Sequence, residues 1–205
     1  PSPRTYTPPS SSTTAPIPLS TNTSDFSTYL AKAKDQGAEV IFCPVSIAYA
    51  TQIIKLAASM GLDIPILGSD TLDSNKVLEA AAGSDVQLYV STFYQEGGSP
   101  EFDEGIKAWL NEDATAMTNN GGNDTIAAVT AMGYDAYYVA LEALKAAGST
   151  DPAAVKAALP GVTYTGVTGD IAFDDIGDAI RDTAYIKVAD TANNAWALET
   201  MQKAG

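Results

Sequence analysis

Asp70 is the side chain best placed by its surroundings to do chemistry. It follows the apolar run Ile64-Pro65-Ile66-Leu67 after a Gly68-Ser69 step, and a lone carboxylate at the end of a buried strand can accept hydrogen bonds from a ligand ammonium group. The same position suits an N-cap or turn aspartate, so both roles stand open. Thr71, next in the chain, adds a neutral hydroxyl. Ser46 holds the corresponding place after the run Val40 to Val45, where its hydroxyl serves either a ligand or the start of a helix. Tyr94 closes a third apolar run, Val86 to Tyr94, in the triplet Phe93-Tyr94-Gln95. In an open parallel sheet, ligands bind beyond the carboxyl ends of the strands, where free loops and helix N-termini converge.

Other chemistries are poorly supplied. The chain has no histidine, which removes the usual general base of nucleophilic triads and the commonest zinc ligand. No carboxylate pair with acid/base separation is identifiable, so no catalytic residue, metal or cofactor is expected. Eleven Lys and Arg against 25 Asp and Glu give a net charge of −14, which repels nucleic-acid phosphates and anionic lipid heads. No run reaches the roughly 18 apolar residues that cross a bilayer, so neither nucleic acid nor direct membrane insertion is expected. The one cysteine, Cys43, lies inside an apolar run and reads as a buried, inert thiol. Gly97-Gly98 and Gly121-Gly122 lack a fingerprint spacing and read as loops. Asp174, Asp175 and Asp178 lack the later bidentate Glu of a calcium loop and read as a hairpin turn. Tyr134, Tyr137 and Tyr138 recur at helical spacing and read as core.

The elements that would position the strand-end residues follow from periodicity. Residues 1–24 hold six of the eleven prolines among Ser and Thr, which predicts an extended linker or leader. Ser24 and Asp25 open a helix with Phe26, Leu30 and Ala33 on one face, ending at Gly37. The run Val40 to Val45 predicts a strand covered on both faces. Helix Ala48 to Met60, strand Ile64 to Gly68, a helix opened by Ser74, and strand Val86 to Tyr94 then alternate, which implies parallel pairing through crossovers. Beyond residue 99 the pattern is helical, with Phe102, Ile106, Trp109 and Leu110 on one face, a long helix from about Asp124 to Ala147, and a helix begun by Asp151-Pro152. Two strands, Gly169 to Phe173 and Ala184 to Val188, joined by the turn at 174–178, close the reading.

In this order the segments SDFSTYLAKAKDQGAEVIFCP, TQIIKLAASMGLDIPILGSD, MGYDAYYVALEALKAAGSTDPAAVKAAL and GVTGDIAFDDIGDAI resemble the later part of periplasmic branched-chain amino-acid binding proteins of ABC transporters. The resemblance implies an α/β type I solute-binding fold, a parallel sheet flanked by helices with most of the first lobe missing. It implies a ligand-binding lobe over 25–99, helices over 100–162 that pack on the other lobe, and hinge-crossing strands with a tail over 163–205. In that family an acidic residue after the strand binds the ligand ammonium, which falls on Asp70. Two often aromatic positions fall on Ser46 and Val129, departures that imply a larger or more polar pocket.

The function so implied is capture of an amino acid or related small polar, amide-like ligand, without catalysis, for an ABC permease in the periplasm or at the cell surface. The alternative is a ligand-sensing domain of the same fold in a receptor or regulatory protein; permease genes nearby favour transport, and a kinase or cyclase module favours sensing. The apolar faces of the 100–160 helices call for the missing first lobe or a partner chain, and a truncated product is the expectation.

Overall fold

The computed structural model describes residues 25–181 and 183–203, so the readings of residues 1–24, including the Ser24 cap, lie outside the described residues. Helix α1 (Ser27–Asp35) follows Asp25, whose Oδ1 accepts from the Ser27 amide at 2.8 Å. It buries Phe26 and Leu30. Strand β1 (Ile41–Cys43), α2 (Ile47–Ser59), β2 (Ile66–Gly68), a 3-10 turn at Asp70–Leu72, α3 (Asn75–Ala81) and β3 (Leu88–Thr92) then alternate. β1, β2 and β3 pair in parallel in that order, with Ile41 opposite Ile66 and Ile66 opposite Leu88.

The sheet continues where alternation does not forecast it. β7 (Thr183–Asp190) lies antiparallel to β3, and β8 (Ala195–Lys203) antiparallel to β7, giving the order β1-β2-β3-β7-β8. Between β3 and β7 come α4 (Pro100–Glu112), α5 (Ala114–Asn119), α6 (Ala128–Ala147), α7 (Pro152–Ala158) and a small sheet of β4 (Tyr164–Gly166), β5 (Gly169–Phe173) and β6 (Ala179–Ile180). The strands read at 169–173 and 184–188 therefore belong to different sheets. β5 turns instead into β6, and Asp174 shapes that turn by accepting from the Ile176 and Asp178 amides at 3.0 and 2.8 Å.

The long helix starts at Ala128, four residues later than its period suggests. Asn120 explains the delay, because its side-chain amide donates to the Asn123 and Thr125 carbonyls at 2.8 and 2.9 Å and holds 120–125 as a turn. At its far end Gly148, with φ 58°, supplies the left-handed C-terminal residue. Gly166 is fixed by a different need: a Cβ there would run into the Asp135 carboxylate, which reaches from α6 to take the Val167 and Thr168 amides at 2.9 and 2.8 Å.

One core dominates. Ile53, Ile54 and Ala57 of α2, Val77 and Ala81 of α3, and Phe26 and Leu30 meet the sheet face formed by Cys43, Ile66, Leu88 and Val90. The opposite face corrects the reading of β1 as covered on both sides. Phe42, Leu67 and Tyr89 share it by register, yet Phe42 is 64% exposed and none of the three enters a hydrophobic cluster. One further reading needs correction: Tyr134 is 39% exposed and Tyr137 is 66% exposed, so neither is core among the described residues. Trp109 is 54% exposed on α4. No described element covers Phe42, Trp109 or Tyr137.

Cys43 is buried, and burial pushes its thiol up to about 11. A thiol held above its ordinary value remains protonated at pH 8, so a thiol reagent such as a disulfide dye is expected to label Cys43 only after denaturant is added. Chemical denaturation separates the two sheet faces: Leu88→Ala is expected to cost about 2–5 kcal/mol, whereas Phe42→Ala stays within about 0.5 kcal/mol.

Candidate functional site

The carboxyl ends of β1, β2 and β3 point toward one region, and the 3-10 turn at Asp70–Leu72 lies at its centre, touching α2, β3 and α6. Gly68 makes the turn feasible. A Cβ there would meet Leu72 Cδ1 at 2.6 Å, so glycine leaves the room in which Leu72 folds back under the strand end, where it is fully buried. With Leu72 pinned inward, Asp70 and Thr71 face outward. Asp70 is half-buried, opens the turn, and makes no side-chain hydrogen bond or ion pair among the described residues. Thr71 is exposed, and its hydroxyl lies 2.8 Å from that of Ser69.

Ser46 occupies the N-cap position of α2 with φ −65° and ψ 155°, but its side chain makes no capping bond. Ser74, by contrast, accepts from the Lys76 amide at 3.2 Å and is a working cap. The Ser46 hydroxyl is thus exposed and uncommitted at the neighbouring strand end. Val129 is the second residue of α6 and is 52% exposed. Tyr94 is placed differently from these four. It is 1% exposed, donates its hydroxyl to Asp103 Oδ1 at 2.6 Å, and contacts Phe102 edge-on. Burial first, and the Asp103 carboxylate second, push its hydroxyl well above the ordinary tyrosine range.

Beneath the turn lies a group that periodicity does not single out. Asp73, 2% exposed, takes three donors on one oxygen: Lys187 Nζ at 2.9 Å, Thr92 Oγ1 at 2.9 Å, and the Ala128 amide at 3.3 Å. These come from β7, β3 and the first residue of α6. The legible signal was Lys187, a cation inside the strand run Tyr185-Ile186-Lys187-Val188, because a buried charge requires a partner. The sequence does not say which carboxylate answers it.

A cavity of about 570 Å³ lies elsewhere, between the start of α4, α6 and the β4–β5 hairpin, with Ser99, Glu101, Phe102, Tyr134 and Tyr164 in its wall. None of the five strand-end candidates lines it. The cavity's rings continue a ladder from Tyr94 through Phe102, Tyr134 and Tyr138 to Tyr164. Among the described residues, no three of His, Cys, Asp and Glu assemble as a metal set, and no helix is long and apolar enough to cross a membrane.

Comparison with known proteins bears on this geometry. The profile of the family described as periplasmic binding protein matches residues 11–193. Leu/Ile/Val-binding protein homolog 1 of Brucella abortus (strain 2308) is 31% identical over 155 residues, covering 75% of this chain and 39% of that protein. The same-named protein of Brucella suis biovar 1 is 31% identical over 156 residues. Among solved structures, the leucine-binding protein LivK of Thermotoga maritima superposes with a TM-score of 0.70 at 23% identity, over 90% of this chain and 50% of that one. A solute-binding protein of an ABC transporter from R. palustris, in complex with benzoate, gives 0.69 at 16% identity over 91% and 49%. These structural likenesses concern the fold. The chain spans 39% of the length of the curated relatives and about half of the solved ones.

Removing one member of the buried pair tests its place beneath the site. Lys187→Met leaves the Asp73 carboxylate without its cation and is expected to cost about 3–5 kcal/mol, whereas Asp73→Asn combined with Lys187→Met recovers most of that loss. Urea unfolding of the three proteins reads both outcomes.

Proposed function

This chain belongs to the periplasmic binding protein family, and from that premise we propose that it supplies one ligand-binding lobe of an extracytoplasmic receptor for an amino acid or a related small polar molecule. Capture involves no bond making, and the loaded receptor delivers its ligand to an ABC permease. The observation that carries the reading is the Asp70 carboxylate, half-exposed at the end of β2 and free of any protein partner among the described residues. An uncommitted acid at a strand end is suited to an ammonium group, since a hydrogen bond to a charged group contributes about 1.5–3 kcal/mol. Ser46 and Thr71 add neutral hydroxyls on either side, and Val129 bounds the pocket from α6. Tyr94 supports the site from behind.

The relatives' ligands divide on this point. Isoleucine, bound in the Streptococcus pneumoniae LivJ structure, carries an ammonium group; benzoate, bound in the R. palustris protein, carries none. The negative charge of Asp70 favours the former class for this chain.

The same reading gives the exposed rings a role. Trp109 on α4 and Tyr134, Tyr137 and Leu144 on α6 are 37% to 66% exposed, and exposed apolar groups gathered on one element are of the kind that marks an interface. We assign this surface to the receptor's other lobe; this chain spans 39% of the length of the curated relatives and about half of the solved ones. Ligand would then close between that lobe and the strand ends.

Isothermal titration with L-leucine, L-isoleucine and benzoate tests the assignment. Binding is expected for the amino acids and not for benzoate. Asp70→Ala is expected to weaken amino-acid binding roughly 10- to 100-fold; an unaltered affinity removes Asp70 from the site.

A further inference from the structure

We propose that Asp73 is a positioning residue for the Asp70 site, a single buried carboxylate that couples the placement of the first turn of α6 to the placement of the turn presenting Asp70. The inference rests on the reading of Asp70 as an ammonium anchor. It starts from a missing cap. The residue before α6 is Ala127, which has no side-chain oxygen to offer the helix, and α6 runs for 20 residues with its first amides in need of acceptors. Asp73, 55 positions away in sequence, supplies one by accepting from the Ala128 amide. A carboxylate at a helix N-terminus is also favoured by the helix dipole.

The same oxygen is held by Lys187 and Thr92. With three donors from three elements on one atom, the carboxylate cannot rotate or shift without breaking contacts on several sides. Asp73 is also tied to the ligand-facing residue: its own amide donates to the Asp70 carbonyl at 3.0 Å, and the Leu72 amide donates to the Ser69 carbonyl at 2.9 Å. Leu72, between them, is fully buried. A rigid four-residue unit therefore carries one acid inward to α6 and another outward to solvent. A displacement of α6 relative to the sheet moves the inner acid and, through it, the outer one. Binding groups must be held to within about 0.5 Å to act, so a small shift at Ala128 changes what Asp70 offers a ligand.

The test removes only the link. Ala127 already holds φ −73° and ψ 150°, the conformation a residue before proline adopts, and proline is tolerated at the first helical position. Ala128→Pro therefore deletes the amide donor, and Ala128→Gly retains it. Because Ala128 is fully buried and the proline ring crowds its neighbours, Asp73→Leu with Lys187→Met, which leaves no acceptor for the Ala128 amide and no unpaired charge, serves as the second variant. In the full chain, amide hydrogen exchange at Leu72 and Asp73 is expected to quicken at least tenfold in Ala128→Pro and in the double variant, with exchange at Ile66 unchanged. The dissociation constant for L-leucine, followed by NMR titration at millimolar ligand, is expected to rise at least tenfold in both. Ala128→Gly should match the parent chain in both readouts. Unchanged exchange at Leu72 and Asp73 overturns the coupling. Faster exchange with unaltered leucine affinity, or loss of the fold in both variants, reduces Asp73 to a structural pair and also overturns the proposal. If the parent chain gives no leucine response, the ammonium reading has failed by itself, and the exchange rates still decide the coupling.

Discussion

Burial of the Asp73–Lys187 pair is the constraint on which the rest of the structure depends. Taking two opposite charges out of water costs several kcal/mol for each ion, and only good geometry with further hydrogen bonds offsets it. Here the partners are 114 positions apart, so the offset exists only when β7 lies beside β3 in one register. Lys187 stands opposite Val90 on the buried face of the sheet. A slip of one residue would turn every side chain of β7 to the other face, stranding the lysine away from Asp73 and Asp73 among apolar neighbours. The pair thus selects a pairing that the flanking Ile186 and Val188 would not choose by hydrophobicity alone.

Around that fixed point the molecule divides its apolar surface unevenly. The sheet face toward α2 and α3 is closed by the large cluster built on Ile54, Ile66 and Leu88, and a second, smaller cluster of Val139, Ala143, Val162 and Ile171 joins α6 to the β4–β5 hairpin. The face bearing Phe42 and the aromatic side of α6 stay open. No described element covers these two apolar surfaces. The proposed ligand site lies on the completed side of this division, at the strand ends.

The alternation of apolar runs with helical periods made β1, α2, β2, α3 and β3 legible, because each element buries a face against the next and the spacing of that face is written locally. Gly68-Ser69-Asp70 was legible for the same reason, as a strand end followed by an acid. What was not legible depended on contacts distant in sequence. β5 and β7 read as neighbours because one turn separates them, yet β7 pairs with β3, and the turn at 174–178 serves β6. Tyr94 looked like a strand-end ligand group, but the partner that draws it inward, Asp103, lies one turn into the next helix. Asp73 carries no local signal, because its cation, Lys187, comes from the far end of the chain.

The five-stranded sheet is assembled out of sequence order: β3 is complete before α4 to α7 are made, whereas its neighbour β7 comes after all of them. As the chain folds, the open hydrogen-bonding edge of β3 must wait for a strand that lies beyond the intervening helices. Pairings that close so long a loop form slowly, and an unpaired edge invites partners from other chains. For this protein, the interval between the forming of β3 and its pairing with β7 is the stretch of folding in which protection by a chaperone would matter most.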